Sequence, residues 1–192
     1  MPGGPLVLAS TSAARRALLE RLGVSFDTLA PECDEERIRG ATPADTARAR
    51  AIAKAESVAR SHPEATVLGS DQLVDLDGEI VGKPGTSERA RAQLARLSGR
   101  AHRLVTAVAL IGPGTRSVHV DTCTLRMRAL GEDEIARYVS ADAPEACAGS
   151  YRIESRGIAL FEAIEGADHT AIVGLPLMQT AAMLRDAGWS IP

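Results

Sequence analysis

The stretch ATVLGSDQLVDLDGEIVGKP, residues 65–84, contains two runs of β-prone residues on either side of Asp77-Gly78. An Asp-Gly pair between two such runs is a strong signal for a β-hairpin, because a type I′ turn requires positive φ angles at both central residues. We therefore predict a β-hairpin here. Since a hairpin joins antiparallel strands and the flanking segments predict helices, we expect an α/β protein with a mixed sheet rather than a doubly wound parallel sheet.

The segments on both sides of the hairpin predict an alternation of strands and helices. Those before it are two strands, each followed by a helix, at 6–10, 10–23, 24–31 and 42–63. Those after it are a helix, two strands, a helix, a strand and a closing helix, at 86–99, 102–112, 117–127, 131–140, 156–166 and 175–189. Ser12 and Thr42 are the expected N-caps of the first two helices. Because no repeat or low-complexity linker interrupts this order, we expect a single domain over residues 1–192.

The composition is typical of a globular protein and argues against binding to nucleic-acid polymers. Of the 192 residues, 45% are hydrophobic and 24% are charged, which is enough apolar surface to bury a core. The net charge of −3 lacks the overall positive potential of a protein that coats nucleic acid, although it allows a local basic pocket. Only 3% of the residues are aromatic, so a base-stacking surface for single strands is not expected.

Cysteine usage and the N-terminal segment indicate a cytoplasmic protein. Cys33, Cys123 and Cys147 are widely spaced and form no CxxC pair or disulfide pattern, which is typical of a reducing compartment. The start MPGGPLVLAS has neither the basic region nor the apolar length of a signal peptide. No stretch approaches the roughly 20 apolar residues of a membrane span, so we expect no membrane partner.

The junction LASTSAARR, residues 8–16, is the first candidate for chemistry. A helix N-terminus offers unpaired backbone N–H groups and the positive end of the helix dipole, which together bind anions. Ser10 adds a hydroxyl, and Arg15 and Arg16 add two permanent cations that oppose the dipole and so gain nothing for the helix itself. The alternative is a solvated arginine pair after an ordinary serine cap.

Asp71, in the run GSDQLV, is the second candidate. Aspartate is disfavoured within strands, and the nearby Gly69 permits close approach of a ligand. A residue that breaks the local rule often marks a functional site. The alternative is an aspartate on an edge strand that faces water.

Two lysines and an acidic turn are weaker candidates. GEIVGKP, residues 78–84, is one residue too short for a P-loop and has proline where the magnesium-binding hydroxyl belongs, so Lys83 is either a single phosphate contact or a solvated lysine. Lys54 lies in a helix rich in alanine and arginine. The acidic turn at 32–36 is either solvated or supplies oxygen ligands to Mg²⁺. The chain has no GxSxG turn, no GxGxxG after a strand and no histidine spacing suited to zinc.

Taken together, several stretches resemble the Maf family of nucleotide pyrophosphatases along nearly the whole chain. They are LASTSAARRALLERLG, APECDEE, AKA around Lys54, GSDQLVDLDGEIVGKP, LSGRAHRLVTAVAL, CAGSYRIESRGIALFEAIEG and VGLPL. The resemblance implies a fold similar to that of inosine triphosphatase, in which a curved mixed sheet with flanking helices lines a deep cleft between two lobes. It also implies a homodimer. The implied reaction is hydrolysis of a nucleoside triphosphate between the α- and β-phosphates with Mg²⁺ or Mn²⁺, giving the monophosphate and pyrophosphate.

The resemblance also implies roles for individual residues. The catalytic carboxylate falls on Asp71, and the acidic residue that would help Asp71 to hold the metal falls on Asp34. The residues that would bind the phosphates are Ser10, Arg15, Arg16, Lys54 and Lys83.

For the nucleobase, GSDQ resembles the branch of the family that acts on N7-methyl-GTP, whereas members with GADT prefer dTTP and UTP. Glu154 falls at the base-selecting acidic position, and Gln72 is placed by adjacency to Asp71 to contact the base or sugar. Two positions depart from the pattern. Ala13 replaces the usual proline, and Ala14 stands where this branch typically has tryptophan, so a cationic 7-methylguanine ring has no aromatic face there. A pyrophosphatase for dTTP, UTP or other modified nucleotides, a nucleotide-binding regulator without turnover and a phosphomonoesterase remain alternatives.

Overall fold

The structure is a computed structural model that describes residues 4–191, which divide into two compact units. The first unit takes in the chain up to Asp71, then Thr106–Asp121 and the chain from Asp168 onward. The second unit consists of Gln72–Val105 and Thr122–Ala167. Residues 1–3 and 192, the ends of the predicted single domain, lie outside the described residues. The single domain with its cleft stays a prediction.

Within the described residues, seven strands form a mixed sheet. They are β1 (Leu6–Ala9), β2 (Asp27–Leu29), β3 (Thr66–Leu76), β4 (Glu79–Val81), β5 (Ala101–Gly112), β6 (Thr115–Met127) and β7 (Phe161–Glu165). Their order is β2-β1-β3-β5-β6-β7, and β4 pairs with β3. β1 runs parallel to both β2 and β3, whereas the β3–β4 and β6–β7 pairs are antiparallel. The predicted mixed α/β class is therefore confirmed.

Six α-helices accompany the sheet in the part of the chain that the structure describes. They are α1 (Ala13–Glu20), α2 (Pro43–Ala59), α3 (Ser87–Leu97), α4 (Glu132–Asp142), α5 (His169–Val173) and α6 (Leu177–Asp186). The predicted caps of the first two helices are confirmed, because Ser12 accepts from the backbone N–H of Arg15 and Thr42 forms a capping box with Asp45. No helix among residues 4–191 is long and apolar enough to cross a membrane.

In the first unit, α2 lies unusually close to β3. A Cβ added at Gly69 would lie 2.4 Å from the carbonyl oxygen of Ala51, so only glycine permits this approach. Ala51 and Ala55 on the helix are fully buried, since their small side chains let the two backbones meet. A cluster of leucines that includes Leu8, Leu19 and Leu68 forms an apolar core in this unit. The close contact at Gly69 therefore fixes the position of α2 along β3.

In the second unit, the predicted hairpin is confirmed. Val74 pairs with Val81 and Leu76 with Glu79, and the connecting turn has φ values of 54° at Asp77 and 90° at Gly78. Elsewhere in this unit α3 packs against α4, and the buried rings of His102 and Tyr151 contact the half-buried ring of Phe161. Burial lowers the pKa of His102 to about 4, so its ring is neutral at pH 7.

The prediction of one strand over 156–166 is wrong in its first half. Arg156–Leu160 form a 3₁₀ helix, and only Phe161–Glu165 form β7. The reason is a close approach of this segment to the backbone just before it, since a Cβ at Gly157 would lie 2.3 Å from the carbonyl oxygen of Arg152. Two further 3₁₀ turns, Pro144–Ala146 and Ala148–Ser150, and the short helix α5 were not predicted from the sequence.

Candidate active site

The first unit contains a buried carboxylate held by a buried lysine. Asp71 is 4% exposed and Lys54 is 5% exposed. The Lys54 Nζ donates to Asp71 Oδ1 at 2.7 Å and lies 2.9 Å from Glu35 Oε2. The lysine therefore joins two carboxylates that are 36 positions apart in the chain (71 − 35). Because Asp71 is buried in β3, the alternative of an edge-strand aspartate facing water is excluded.

The second oxygen of Asp71 has a different environment. Oδ2 is buried and has no hydrogen-bond partner among the described residues. Arg50 Nη1 lies 3.9 Å from it, within ion-pair range but beyond hydrogen-bonding distance. A buried polar atom without a partner is costly in an apolar setting, and such atoms often mark functional sites. Asp71 is thus a carboxylate fixed through one oxygen with the other available for a water molecule or a metal ion.

Sequence reasoning missed Arg50 and named Glu35 only as one member of the acidic turn at 32–36. Arg50 lies four residues before Lys54, so both side chains emerge from the same face of α2, and this spacing is a signal that the sequence contains. The Arg50 Nε also donates to the carbonyl oxygen of Ile38 at 3.3 Å. For Glu35 the sequence offers no signal that distinguishes it from the other acidic residues of its turn.

Arg15 belongs to the same cluster. Its Nε donates to the carbonyl oxygen of Gly174 at 2.9 Å, which orients the guanidinium. Burial lowers the pKa of Arg15, while the negative charges of Asp71 and Glu35 act in the opposite direction. Arg15 therefore lies in the field of both carboxylates, with its two terminal amino groups suited to a bidentate anion contact.

Ser10 and Ala14 lie on either side of the start of α1. Ser10 is buried, and its Oγ accepts from the backbone N–H of Ser12 at 3.1 Å. Ala14 is half-buried, one residue before Arg15. The serines thus shape the turn that brings Arg15 to the N-terminus of the helix.

Two predicted residues are not brought to this cluster. The side chain of Arg16 is 61% exposed and pairs with Glu20 at 3.1 Å, which matches the alternative of a solvated arginine. Asp34 is 58% exposed in its side chain and pairs with Arg37 at 3.0 Å. The acidic residue of this turn that reaches Lys54 is Glu35, and the role of Asp34 as a metal ligand stays a prediction. Successive residues of a turn point in different directions, so one position decides which carboxylate faces inward.

The remaining predicted residues lie in the second unit. Gln72 follows Asp71 directly and is half-buried, whereas Lys83 and Glu154 are exposed. Lys83 and Glu154 lie in the same part of this unit, around Cys147. Burial raises the pKa of Cys147, and the charge of Glu154 also raises it, while Arg152 and Lys83 lower it. Glu154 Oε1 lies 3.7 Å from Arg152 Nε.

The loop before α3 that presents Lys83 is held by backbone contacts. The carbonyl oxygen of Gly82 accepts from Gln93 Nε2 at 3.2 Å and from the N–H of Gly149 at 3.4 Å. The Ser150 Oγ in turn donates to Gln93 Oε1 at 2.5 Å. One glutamine therefore connects the Lys83 loop to the segment that precedes Arg152 and Glu154.

The donor set also bears on a divalent metal. Within residues 4–191, no group of three or more His, Cys, Asp or Glu side chains is arranged to hold a metal ion. Mg²⁺, however, commonly binds through one or two carboxylates together with substrate phosphates. The unpartnered Oδ2 of Asp71, with Glu35 nearby on the same lysine, fits an ion that binds together with a phosphate ligand.

The fold and the site together define a mixed α/β protein in which a buried carboxylate lies among cationic side chains. The chain belongs to the Maf-like protein family, whose model matches residues 5–187. The resemblance found in the sequence is thereby confirmed.

Named relatives match over nearly the full chain. A 7-methyl-GTP pyrophosphatase of Xanthomonas campestris pv. campestris (strain 8004) is 53% identical over 188 residues, which is 97% of this chain and 98% of the relative. Proteins of the same name from Aromatoleum aromaticum and Pseudomonas putida are 47% and 41% identical. The former match covers 97% of both chains, and the latter covers 98% of this chain and 99% of the relative.

Two solved structures share the fold. The Staphylococcus aureus Ham1 protein has a TM-score of 0.54 at 17% identity, covering 95% of this chain and 98% of its own. A HAM1 protein from Coxiella burnetii has a TM-score of 0.52 at 18% identity, covering 95% and 99%. At these identities the likeness concerns the fold alone.

Proposed function

We propose that this protein hydrolyses a nucleoside triphosphate to the monophosphate and pyrophosphate, with N7-methyl-GTP as its preferred substrate. The observation that carries the proposal is Asp71, a buried carboxylate with one oxygen fixed by Lys54 and the other without a hydrogen bond. Relatives of about 50% identity named 7-methyl-GTP pyrophosphatase support the same activity.

In the proposed reaction, Asp71 orients a water molecule for attack on the α-phosphorus. Its Oδ2 accepts one proton of the water as the new P–O bond forms and the α–β anhydride bond breaks, and pyrophosphate leaves with the electron pair. Lys54 keeps the carboxylate in one orientation, and Glu35 keeps Lys54 in place. No covalent intermediate is required.

The cationic side chains bind the phosphates in this proposal. Arg15, fixed at Nε, offers a bidentate contact, and Ser10 and the N-terminus of α1 add neutral donors. Lys83 supplies a further point charge. Arg50 offsets the negative charge on Asp71, and Arg16 is assigned a lesser role because it pairs with Glu20 in solvent.

A divalent metal would be held by Asp71, with Glu35 rather than Asp34 as the second carboxylate. When bound, Mg²⁺ or Mn²⁺ neutralises charge on the phosphate oxygens.

Base recognition is assigned to Glu154 and Gln72. Guanine presents N1–H and the exocyclic amine as adjacent donors, which one carboxylate accepts together. N7-methylation adds positive charge to the ring and so strengthens its attraction to Glu154. We expect N7-methyl-GTP to be preferred over GTP, and both over dTTP, UTP and CTP. Glu154→Ala should remove that preference, at a cost of about 1–3 kcal/mol.

The experiment that tests the proposal is product identification over a nucleotide panel with Mg²⁺ or Mn²⁺. Monophosphate and pyrophosphate in equal amounts support it. Release of inorganic phosphate would identify a phosphomonoesterase, and binding without turnover would identify a regulator. A preference for dTTP or UTP would retain the class and overturn the base assignment. The homodimer and the cytoplasmic location stay predictions.

A further inference from the structure

The segment that carries Glu154 is tied to the C-terminal end of α4 on both sides of that residue. Before Glu154, the backbone N–H of Arg152 donates to Tyr138 Oη at 3.0 Å. After it, Ser155 Oγ donates to Asp142 Oδ1 at 2.7 Å. The Arg156 Nη1 adds a third tie, to the carbonyl oxygen of Ala141 at 2.7 Å.

The two acceptors are buried side chains on one face of α4. Tyr138 and Asp142 are four residues apart on α4, so they lie one above the other on the same face of the helix. They are 7% and 5% exposed, and burial raises the pKa of Tyr138, which therefore stays protonated. Among the described residues Asp142 Oδ2 is buried without a hydrogen-bond partner, while Oδ1 lies 3.9 Å from Arg156 Nη1, so the fold keeps a buried carboxylate at this position.

We propose that Tyr138 and Asp142 are positioning residues for base selection. This inference rests on the proposed function, because it concerns how Glu154 meets the nucleobase. Glu154 is exposed and has a long side chain, so two simultaneous hydrogen bonds to guanine require a backbone that is already fixed. The ties at Arg152 and Ser155 hold that backbone one or two residues away on either side.

In this proposal the hydrogen bonds that Arg152 and Ser155 make to α4 affect the base and not the phosphates, so their loss has a distinctive kinetic signature. It lowers kcat/KM for the guanine substrate more than for a pyrimidine substrate. A purely structural role would instead lower thermal stability and reduce kcat/KM for all nucleotides together.

The test uses Ser155→Ala, which removes one donor, with kcat/KM measured for N7-methyl-GTP and UTP. The ratio of the two values is expected to fall about three- to tenfold, the effect of one hydrogen bond. Ser155→Thr keeps a hydroxyl and should restore the ratio. Tyr138→Phe, which removes the acceptor at the other tie, should lower the ratio in the same way.

Ser98→Ala is the matched control. Ser98 Oγ accepts from the backbone N–H of Leu130 at 2.7 Å in the same unit, so the control also loses a serine hydrogen bond to a loop. We expect Ser98→Ala to lower the melting temperature and leave the ratio unchanged. An equal fall in the ratio for Ser98→Ala would overturn the inference.

A double-mutant cycle links the effect to Glu154. In a Glu154→Ala background, Ser155→Ala should cause no further change in the ratio, because the side chain that it positions is gone. An undiminished effect in that background would overturn the inference, as would an unchanged ratio in the single variant. If the wild type shows no preference for guanine substrates, or Glu154→Ala does not alter it, the base assignment falls and the positioning role falls with it.

Discussion

Asp71 shows how strongly one residue depends on its surroundings. Aspartate is disfavoured in strands, yet β3 places it in the interior of the first unit beside Lys54 and Arg50. Another aspartate on the same strand, Asp75, is also buried, but it accepts from the N–H of Gly78 at 2.7 Å and lies 2.5 Å from Arg103. Asp75 thus serves the hairpin turn, whereas Asp71 Oδ2 has no hydrogen-bond partner among the described residues.

This contrast gives a matched pair of variants. Asp71→Asn keeps size but removes charge and basicity, so kcat should fall by about 100-fold or more, the scale of general-base loss. Asp75→Asn should lower the melting temperature while kcat of the folded protein stays within about twofold. Steady-state kinetics and thermal unfolding of both variants check this. Near-normal turnover of Asp71→Asn would remove Asp71 from the mechanism.

Glu35 and Asp34 provide a second pair, since they are adjacent but have different partners. Glu35→Gln weakens a charge-assisted contact to Lys54, so kcat/KM should fall about tenfold or more. Asp34→Asn loses only an exposed ion pair with Arg37, and its kcat/KM should stay within about twofold. The kinetic constants of the two variants under one set of conditions decide the matter. The reverse order of effects would reinstate Asp34.

Arg15 and Arg16 form the third pair. Arg15→Ala should lower kcat/KM about 10- to 100-fold for every nucleotide alike, because phosphates carry no base information. Arg16→Ala should have a much smaller effect, since its guanidinium is solvated beside Glu20. The panel of nucleotides used for product identification measures both. A loss confined to one base would show that Arg15 contacts the nucleobase.

The loop from α5 to α6 positions Arg15 through the backbone. The carbonyl oxygen of Gly174 accepts both from Arg15 Nε and from Ser70 Oγ, each at 2.9 Å. Asp168 stabilises this loop: it accepts from the N–H of Thr170 at 2.9 Å and from the N–H of Met178 at 2.8 Å. A cap at the start of a five-residue helix therefore supports the carbonyl oxygen that orients the Arg15 guanidinium.

Asp168 also gives stability a defined pH dependence. Burial raises its pKa, but the hydrogen bonds from Thr170 and Met178 outweigh burial, so the folded pKa lies below the unfolded value. Asp168 therefore adds stability above the unfolded pKa of about 3.9, and this contribution is lost as pH falls through the folded pKa. Asp168→Asn should lower the free energy of unfolding at pH 7 by about 1–2 kcal/mol. Denaturant unfolding should show the difference from wild type shrinking below pH 4; a difference that grew there would contradict the assignment.

Charge is distributed unevenly over the molecule. Negative residues outnumber positive ones by three, yet Lys54, Arg50 and Arg15 concentrate around Asp71 in the first unit. This local excess of positive charge is suited to binding a polyanion together with its counterion. It agrees with the proposal that a metal ion binds together with the nucleotide rather than in a closed protein site.

Removing the metal should therefore separate activity from stability. A chelator should abolish hydrolysis, and excess Mg²⁺ or Mn²⁺ should restore it. A structural metal site would add its binding free energy to the free energy of folding. Since the proposed metal binds only with the nucleotide, a chelator should leave the melting temperature of the nucleotide-free protein unchanged. Activity assays and thermal unfolding on one sample check both parts. Hydrolysis in excess chelator would contradict a metal requirement.

Most elements of the fold could be predicted because their signals are local. The Asp77-Gly78 turn, the Ser12 and Thr42 caps and the alternation of strands and helices depend on residues a few positions apart, and the structure confirms them. Asp71 could be singled out for the same reason, since it breaks a local rule within its own strand.

Only the tertiary packing determines which charged side chains contact Lys54 and Asp71. Glu35 rather than Asp34 reaches Lys54, and Arg50 approaches Asp71, because Gly69 and the alanines of α2 fix the helix against β3. The 3₁₀ helix at Arg156–Leu160 likewise follows from the packing of Gly157 on the backbone of Arg152. The hydrophobic period and the helix caps depend on residues close together in the chain. These tertiary contacts depend instead on which backbone segments pack against each other. If α2 were displaced by one residue along β3, a different side chain would face Asp71.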